Sequence, residues 1–275
     1  MRLMIFCRWL HLIPFFVWAS AGLSDVIDFN AIVVANSCTG FIVRLDSSSD
    51  SDAALVLTNG HCSSAKLFML PNTCVWGKES KQVFKLRSNE GNCVRASLKA
   101  NRLLYRTMTG TDIALYQLKN SYADLAQRLN VKPLTLSRER PERKAEIALV
   151  SGLVPLYPWG RIYHCSIDGF AHRLQEGGWE FADAIRYSSS GCDTPAGTSG
   201  APVIDKNTRQ VVGIHSTKNL QGDACTLNNP CEKNKNGLVT VRPGAAYAQQ
   251  TYQIYTCFDS NNKFDLSLPE CVLFK

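Results

Sequence analysis

Gly197-Thr198-Ser199-Gly200-Ala201-Pro202 is the stretch on which the reading of this chain turns. It runs into the apolar pair Val203-Ile204, and a second apolar run, Val211-Val212-Gly213-Ile214, follows closely. Glycine has no Cβ and reaches positive φ without penalty, so the N–H groups of Gly197 and Ser199 can be aimed together at one oxygen. That is how a backbone oxyanion hole is built beside a serine hydroxyl. Standing alone, a serine between glycines is equally a loop turn.

Two upstream stretches change the reading. Thr58-Asn59-Gly60-His61-Cys62 closes the apolar run Ala54-Leu55-Val56-Leu57, and Thr111-Asp112-Ile113-Ala114-Leu115 opens another. The chain order is histidine, aspartate, serine, each at the edge of an expected strand. A serine hydroxyl is a weak nucleophile until a base takes its proton, and a neutral imidazole does this near pH 7. A carboxylate then fixes the imidazole tautomer and stabilises the imidazolium. Taken separately, His61 reads as a loop histidine, Asp112 as a strand-end cap and Ser199 as a turn residue. Their joint occurrence points to nucleophilic catalysis.

The 275 residues suffice for one large or two modest domains. From Ala31 to Leu118 the sequence is a series of short apolar runs: Ile32 to Ala35, Phe41 to Leu45, Ala54 to Thr58, Leu67 to Leu70, Val83 to Leu86, Val94 to Leu98 and Ile113 to Leu118. Residues 119 to 145 differ, with a helical turn or two expected over Tyr122 to Leu129 and a charged segment after it. Strands resume with Ile147 to Val150, Arg161 to Ile167, Ala182 to Tyr187, Ala201 to Ile204, Val211 to His215 and Gly237 to Val241. The pattern is all-β in two halves, 22–120 and 146–275, joined by a linker over 121–145. Alanines and glutamines from Ala245 to Tyr255 predict a short C-terminal helix.

Residues 1–21 read as a signal peptide, with Arg2 and Arg8 before the apolar Leu10 to Val17 and an A-x-A site at Ala19-Ser20-Ala21. The mature protein is expected to begin near Gly22, secreted or periplasmic, and no later stretch is apolar enough to span a bilayer. Of eleven cysteines, Cys7 leaves with the leader. The even remainder in an exported chain argues for disulfides rather than a metal site, and no CxxC pair is present. Cys74 with Cys93, and Cys257 with Cys271, are pairings suggested by proximity in sequence. The net charge is +7, much of it in Arg138, Arg140, Arg143 and Lys144, which alternate with Glu139 and Glu142. That segment reads as a solvated linker rather than a nucleic-acid site.

With these motifs in view, the chain resembles the trypsin-like serine peptidase superfamily. Leu57-Thr58-Asn59-Gly60-His61-Cys62, Asp112-Ile113-Ala114-Leu115 and Gly197-Thr198-Ser199-Gly200-Ala201-Pro202-Val203 are similar to its histidine, aspartate and serine motifs. The resemblance implies two six-stranded antiparallel β-barrels with the active site between them. His61 and Asp112 come from the first barrel, Ser199 and the Gly197 and Ser199 N–H groups from the second. It also implies a polypeptide substrate, a monomer, neither cofactor nor metal, and a Cys38–Cys62 disulfide bracing the histidine loop. Thr198 stands where digestive enzymes of the family carry the aspartate that pairs with a new N-terminus, which puts that mode of activation in doubt.

Cys192-Asp193-Thr194-Pro195-Ala196-Gly197-Thr198-Ser199-Gly200 and Val212-Gly213-Ile214-His215-Ser216 look closer to the glutamyl endopeptidase, or V8-like, branch. There Thr194 and His215, with Ser216 beside them, would line the pocket for an acidic or amide side chain at P1. Asp193 occupies the place of the carboxylate that selects Lys or Arg in trypsin, so a basic P1 stays open. A catalytically inactive relative serving as a binding module is the other alternative. His164, His172, Tyr157, Trp159 and Trp179 belong to no motif.

Overall fold

The structure, a computed structural model, describes residues 27–63, 68–153, 159–188 and 191–275. The expected signal peptide, the mature start near Gly22 and Tyr157 lie outside the described residues. In the first half, β1 (Ile32–Ala35), β2 (Cys38–Arg44), β3 (Ala53–Thr58), β4 (Cys74–Glu79), β5 (Val83–Arg87), β6 (Val94–Thr107) and β7 (Ile113–Ser121) precede α1 (Tyr122–Leu129) and β8 (Leu134–Thr135). The second half holds β9 (Glu146–Ser151), β10 (Arg161–Glu176), β11 (Trp179–Tyr187), β12 (Pro202–Asp205), β13 (Val211–Lys218), β14 (Cys231–Lys233), β15 (Val239–Val241) and β16 (Ala246–Gln250).

Each half closes a six-stranded antiparallel ring. The first runs β1-β5-β6-β7-β3-β2 and returns to β1, with β4 on β6 and β8 on β2 as additions. The second runs β11-β16-β13-β12-β9-β10 and returns to β11, with β14 and β15 extending from β10. Closure removes exposed sheet edges and encloses a core in each ring. Val33, Ile42, Val56, Phe84, Leu98 and Tyr116 fill the first, and Leu149, Ile167, Ile185, Val203 and Val212 the second. Phe41, Leu57, Leu115, Val150, Ile204 and Ile214 form another buried cluster that joins the two.

Local chemistry explains the connecting elements. Ser121 caps α1: its hydroxyl accepts the Asp124 N–H at 3.1 Å while the Asp124 carboxylate takes the Ser121 N–H at 3.1 Å, a full capping box. Asn130 ends the helix in the left-handed conformation. The basic segment after it is occupied by ion pairs. Arg138 forks onto Asp46 at 2.8 and 2.7 Å, and Arg140 onto Asp183 at 2.7 and 2.8 Å. One carboxylate precedes β3 and the other lies in β11, so the connector is tied to both rings.

Three expectations need correction. Ala246–Gln250 is not helical: it is β16, buried along its whole length between β11 and β13. Its alanines fit close strand packing, and a 3-10 helix follows only at Tyr252–Cys257. Phe68 to Leu70 carries no regular structure, whereas Cys74–Glu79 is a strand that the sequence reading missed because its side chains are mostly exposed.

The third concerns disulfides. They are Cys38–Cys62, Cys165–Cys192, Cys225–Cys231 and Cys257–Cys271, and Cys74 and Cys93 are free thiols. Cys74 pairs with Thr107 at the last residue of β6, while Cys93 immediately precedes its first. A 14-residue strand therefore separates them, far beyond the roughly 7 Å Cα separation that a disulfide tolerates. Alkylation of protein unfolded without reductant should place adducts on Cys74 and Cys93 alone within residues 27–275, read by peptide mass spectrometry. A peptide pair cross-linked through these two would contradict the fold.

Candidate active site

His61 opens a 3-10 turn directly after β3, and Asp112 immediately precedes β7; β3 and β7 are hydrogen-bonded neighbours. The His61 Nδ1 lies 2.6 Å from Asp112 Oδ2, and the His61 backbone N–H donates to Oδ1 at 3.0 Å. Asn59 donates from its side chain to the Asp112 carbonyl at 2.8 Å. Gly60 is required between them, because a Cβ there would collide with the Thr107 carbonyl. The Cys38–Cys62 disulfide ties the histidine turn to the start of β2.

A third donor reaches Asp112 from the other ring. The Ser216 hydroxyl on β13 donates to Oδ2 at 2.8 Å. Ser216, expected in substrate binding, lines the cavity; its hydroxyl is engaged by Asp112, and what it offers the cleft is its carbonyl. Burial alone would raise the Asp112 carboxyl; the charge and hydrogen bond of His61, then Ser216, outweigh it and hold the group below its ordinary range. Burial alone would lower His61, and the Asp112 carboxylate reverses this, leaving the imidazole above its usual 6.5.

Ser199 faces the same cavity of about 130 Å³ as His61, Asp112, Thr194, Gly197, His215 and Ser216. Its hydroxyl donates to the Ser216 carbonyl at 3.2 Å, and among the described residues it makes no hydrogen bond to the His61 ring. Its own carbonyl accepts the Thr39 N–H at 2.9 Å, which pins the loop to the first ring. Gly200 permits that approach: its φ is +83°, and a Cβ would strike the Thr39 carbonyl. Just upstream, Thr198 N–H bonds to the Pro195 carbonyl at 3.4 Å across a turn with Gly197 at φ 89°. A positive φ at the third position is the type II pattern, which glycine supplies without steric cost. Neither the Gly197 nor the Ser199 N–H has an acceptor among the described residues.

The remaining residues predicted from sequence divide. Thr194 is 1% exposed and its Oγ1 has no hydrogen-bond partner. His215 is buried, stacked on Tyr187 with the phenol oxygen 3.4 Å from Nδ1. Burial first, then the nearby charges of His61 and Lys218, depress its imidazole to about 3, so it is neutral at pH 7. Asp193 does not reach the cavity. Its side chain is 90% exposed and ion-paired with Lys218. His164 and His172 are exposed on β10, away from the cleft. Trp179 does reach it, with its ring edge against Phe68, which in turn lies 6.3 Å from the His61 ring. Glu176 and Thr217 belong to no motif, and Asn59, within the histidine motif, had no role of its own in the sequence.

The one cluster of potential ligands among the described residues is Cys38, His61 and Cys62, and both sulfurs are in a disulfide.

Two closed rings sharing a cleft, with an imidazole–carboxylate pair on one wall and a serine beside unengaged N–H groups on the other, define the double-barrel peptidase architecture. The sequence model of the trypsin-like peptidase domain matches residues 38–214, and the chain belongs to that family. It has the trypsin-like serine protease fold. No curated protein matches it. Among solved structures it is similar to the MamO protease domain of Magnetospirillum magneticum, at 13% identity and TM-score 0.49, covering 84% of this chain and 97% of that one. The active form of the Rv3671c protease from M. tuberculosis is 16% identical, TM-score 0.46, covering 82% and 77%. The thermostable serine protease AL20 of an extremophilic microorganism is 13% identical, TM-score 0.44, covering 80% and 88%.

The two cleft histidines should titrate apart. In a ¹H–¹⁵N NMR titration His61 should show a midpoint above 6.5 that falls in Asp112→Asn, while His215 keeps neutral-imidazole shifts down to at least pH 5. A His215 midpoint near 6.5 would mean that its burial and stacking are wrong.

Proposed function

We propose that the protein is an exported serine endopeptidase that cleaves polypeptides through an acyl-enzyme on Ser199. His61 takes the serine proton and returns it to the leaving amine, Asp112 holds the imidazole, and the Gly197 and Ser199 N–H groups receive the oxyanion. The observation that carries this reading is the 2.6 Å His61–Asp112 contact on the cavity that Ser199 also lines. Four disulfides, and the absence of any helix long and apolar enough to cross a membrane among the described residues, are compatible with export.

At P1 we favour Glu or Gln, in the manner of the V8-like branch. The unpartnered Thr194 hydroxyl and the neutral His215 imidazole are dipolar groups suited to an amide or carboxylate. A basic P1 has less support, since the Asp193 carboxylate faces solvent and already has Lys218.

A binding module without turnover is the competing reading, and the Ser199–Ser216 hydrogen bond is the observation on its side. Catalytic hydrogen bonds are often long or misaligned without substrate. Reactivity separates the two: an organophosphonate should label Ser199, Ser199→Ala should abolish turnover, and Asp112→Asn should lower kcat by about 10⁴. Folded protein inert to both reagent and peptides would establish the binding module.

The acid limb of kcat/KM should lie above pH 6.5, because the base works only when neutral and Asp112 raises its pKa. Activity is then full above that pKa and lost as pH falls through it. In a P1-scanning library, Glu and Gln should lead, and Thr194→Val should reduce their kcat/KM about tenfold, for one lost hydrogen bond. Preference for Lys or Arg would transfer the P1 role to Asp193.

A further inference from the structure

Glu176 ends β10 inside the cleft, lining the same cavity as His61, Asp112 and Ser199. It is 8% exposed. Its Oε1 takes the Asn228 backbone N–H at 2.8 Å, and the Thr217 hydroxyl hydrogen-bonds to it as well. Among the described residues no lysine, arginine or histidine lies within ion-pair distance of it. The one ammonium on the cavity wall, Lys218, is held by Asp193. Carboxylates this deeply buried are rarely left without a cation, since desolvation of the charge is expensive and two hydrogen bonds offset only part of it. Burial accordingly raises its pKa and the like charge of Asp112 adds to the rise, while the Thr217 and Asn228 hydrogen bonds and the charge of His61 offset part of it.

The walls around Glu176 suit a long side chain with an apolar stem and a cationic head. Trp179, Phe181, Leu220 and Leu227 share its cavity, with Leu220 and Leu227 about half exposed. Lysine and arginine bury their methylenes along such surfaces while the charge seeks an acceptor, and an aromatic face adds cation–π attraction. Thr194 and His215 are not among the hydrogen-bond partners of Glu176, which belong to Thr217 and to the loop closed by Cys225–Cys231.

We propose that Glu176 forms a second specificity subsite, which accepts a lysine or arginine of the substrate polypeptide at a position other than P1. The proposal rests on the reading of this cavity as a peptide-binding cleft. It adds a charged requirement that the P1 pocket does not supply. The rival role is that of a loop anchor, in which Glu176 only holds the Asn228 N–H.

Glu176→Gln separates the two, because the amide oxygen still accepts from Asn228 while the charge is gone. In the full chain carrying Ser199→Ala, fluorescence anisotropy of octapeptides with lysine or norleucine fixed at each position in turn reads binding without turnover. Lysine should tighten binding about tenfold at one position other than that of the preferred Glu or Gln, as expected for a partly desolvated charge pair. The added Glu176→Gln change should erase that advantage, and Glu176→Asp should retain part of it. Thermal melting within a few degrees of the parent would show the variants folded. No lysine advantage at any position, or one that survives Glu176→Gln, overturns the subsite. Phosphonate labelling of Ser199 in the unmodified chain reports separately on the peptidase reading, so either can fail without the other.

Discussion

A single carboxylate, 1% exposed, organises the centre of the molecule. Asp112 carries a charge that cannot be buried without donors, and it gathers three: the His61 backbone N–H, the His61 ring and the Ser216 hydroxyl. The first two belong to one ring and the third to the other. Satisfying the charge therefore fixes the imidazole and also sets the second ring against the first. Backbone contacts secure the same junction, with Thr39 donating to the Ser199 carbonyl and its hydroxyl lying 3.2 Å from that of Ser151. Apolar packing across the interface supplies most of the cohesion; the polar contacts choose one relative placement out of the many that oil alone would allow.

That dependence explains which parts of the site were legible in sequence. Gly60, Gly197 and Gly200 act through local backbone geometry, and His61, Asp112 and Ser199 each sit in a short motif at a strand edge, so each leaves a local signature. Gly60 and Gly200 are dictated by close approach of a carbonyl, a constraint that only glycine meets. Ser216 was legible as a cleft residue but its bond to Asp112 was not, because whether a strand side chain turns to a pocket or to a neighbour depends on the partner strand. Glu176 was invisible for the same reason. It lies at the end of a 16-residue strand, and what makes it notable, burial beside the cleft without a cation, arises only from the loop that closes over it.

The fold was legible through alternation and turns, and failed where local preference and tertiary packing disagree. Alanine and glutamine in Ala246–Gln250 favour a helix by intrinsic propensity, yet the segment is enclosed by β11 and β13 and becomes a strand buried throughout. Tertiary context outweighs a propensity difference of a few tenths of a kcal/mol per residue. β4 failed in the opposite sense, having too few buried residues to show a period. Cys74 and Cys93 are near in sequence, but a long strand takes the chain away from one before it returns past the other.

The cleft is electrostatically uneven, and its unevenness is built rather than incidental. On the Thr194 side the groups are neutral, with His215 kept uncharged by burial. On the Glu176 side a carboxylate is held by an N–H of the loop that Cys225 and Cys231 close. Two buried asparagines stiffen that loop from within. Asn219 donates to the Asp223 and Pro230 carbonyls at 3.0 Å each, and Asn229 bridges Gln221 and Thr226. A wall fixed in advance loses little conformational freedom when a ligand arrives, and a carboxylate fixed in it cannot swing out to water to escape desolvation. The same covalent and hydrogen-bonded closure that rigidifies the loop thus keeps a carboxylate in the cleft, where a cation entering from outside would offset its desolvation.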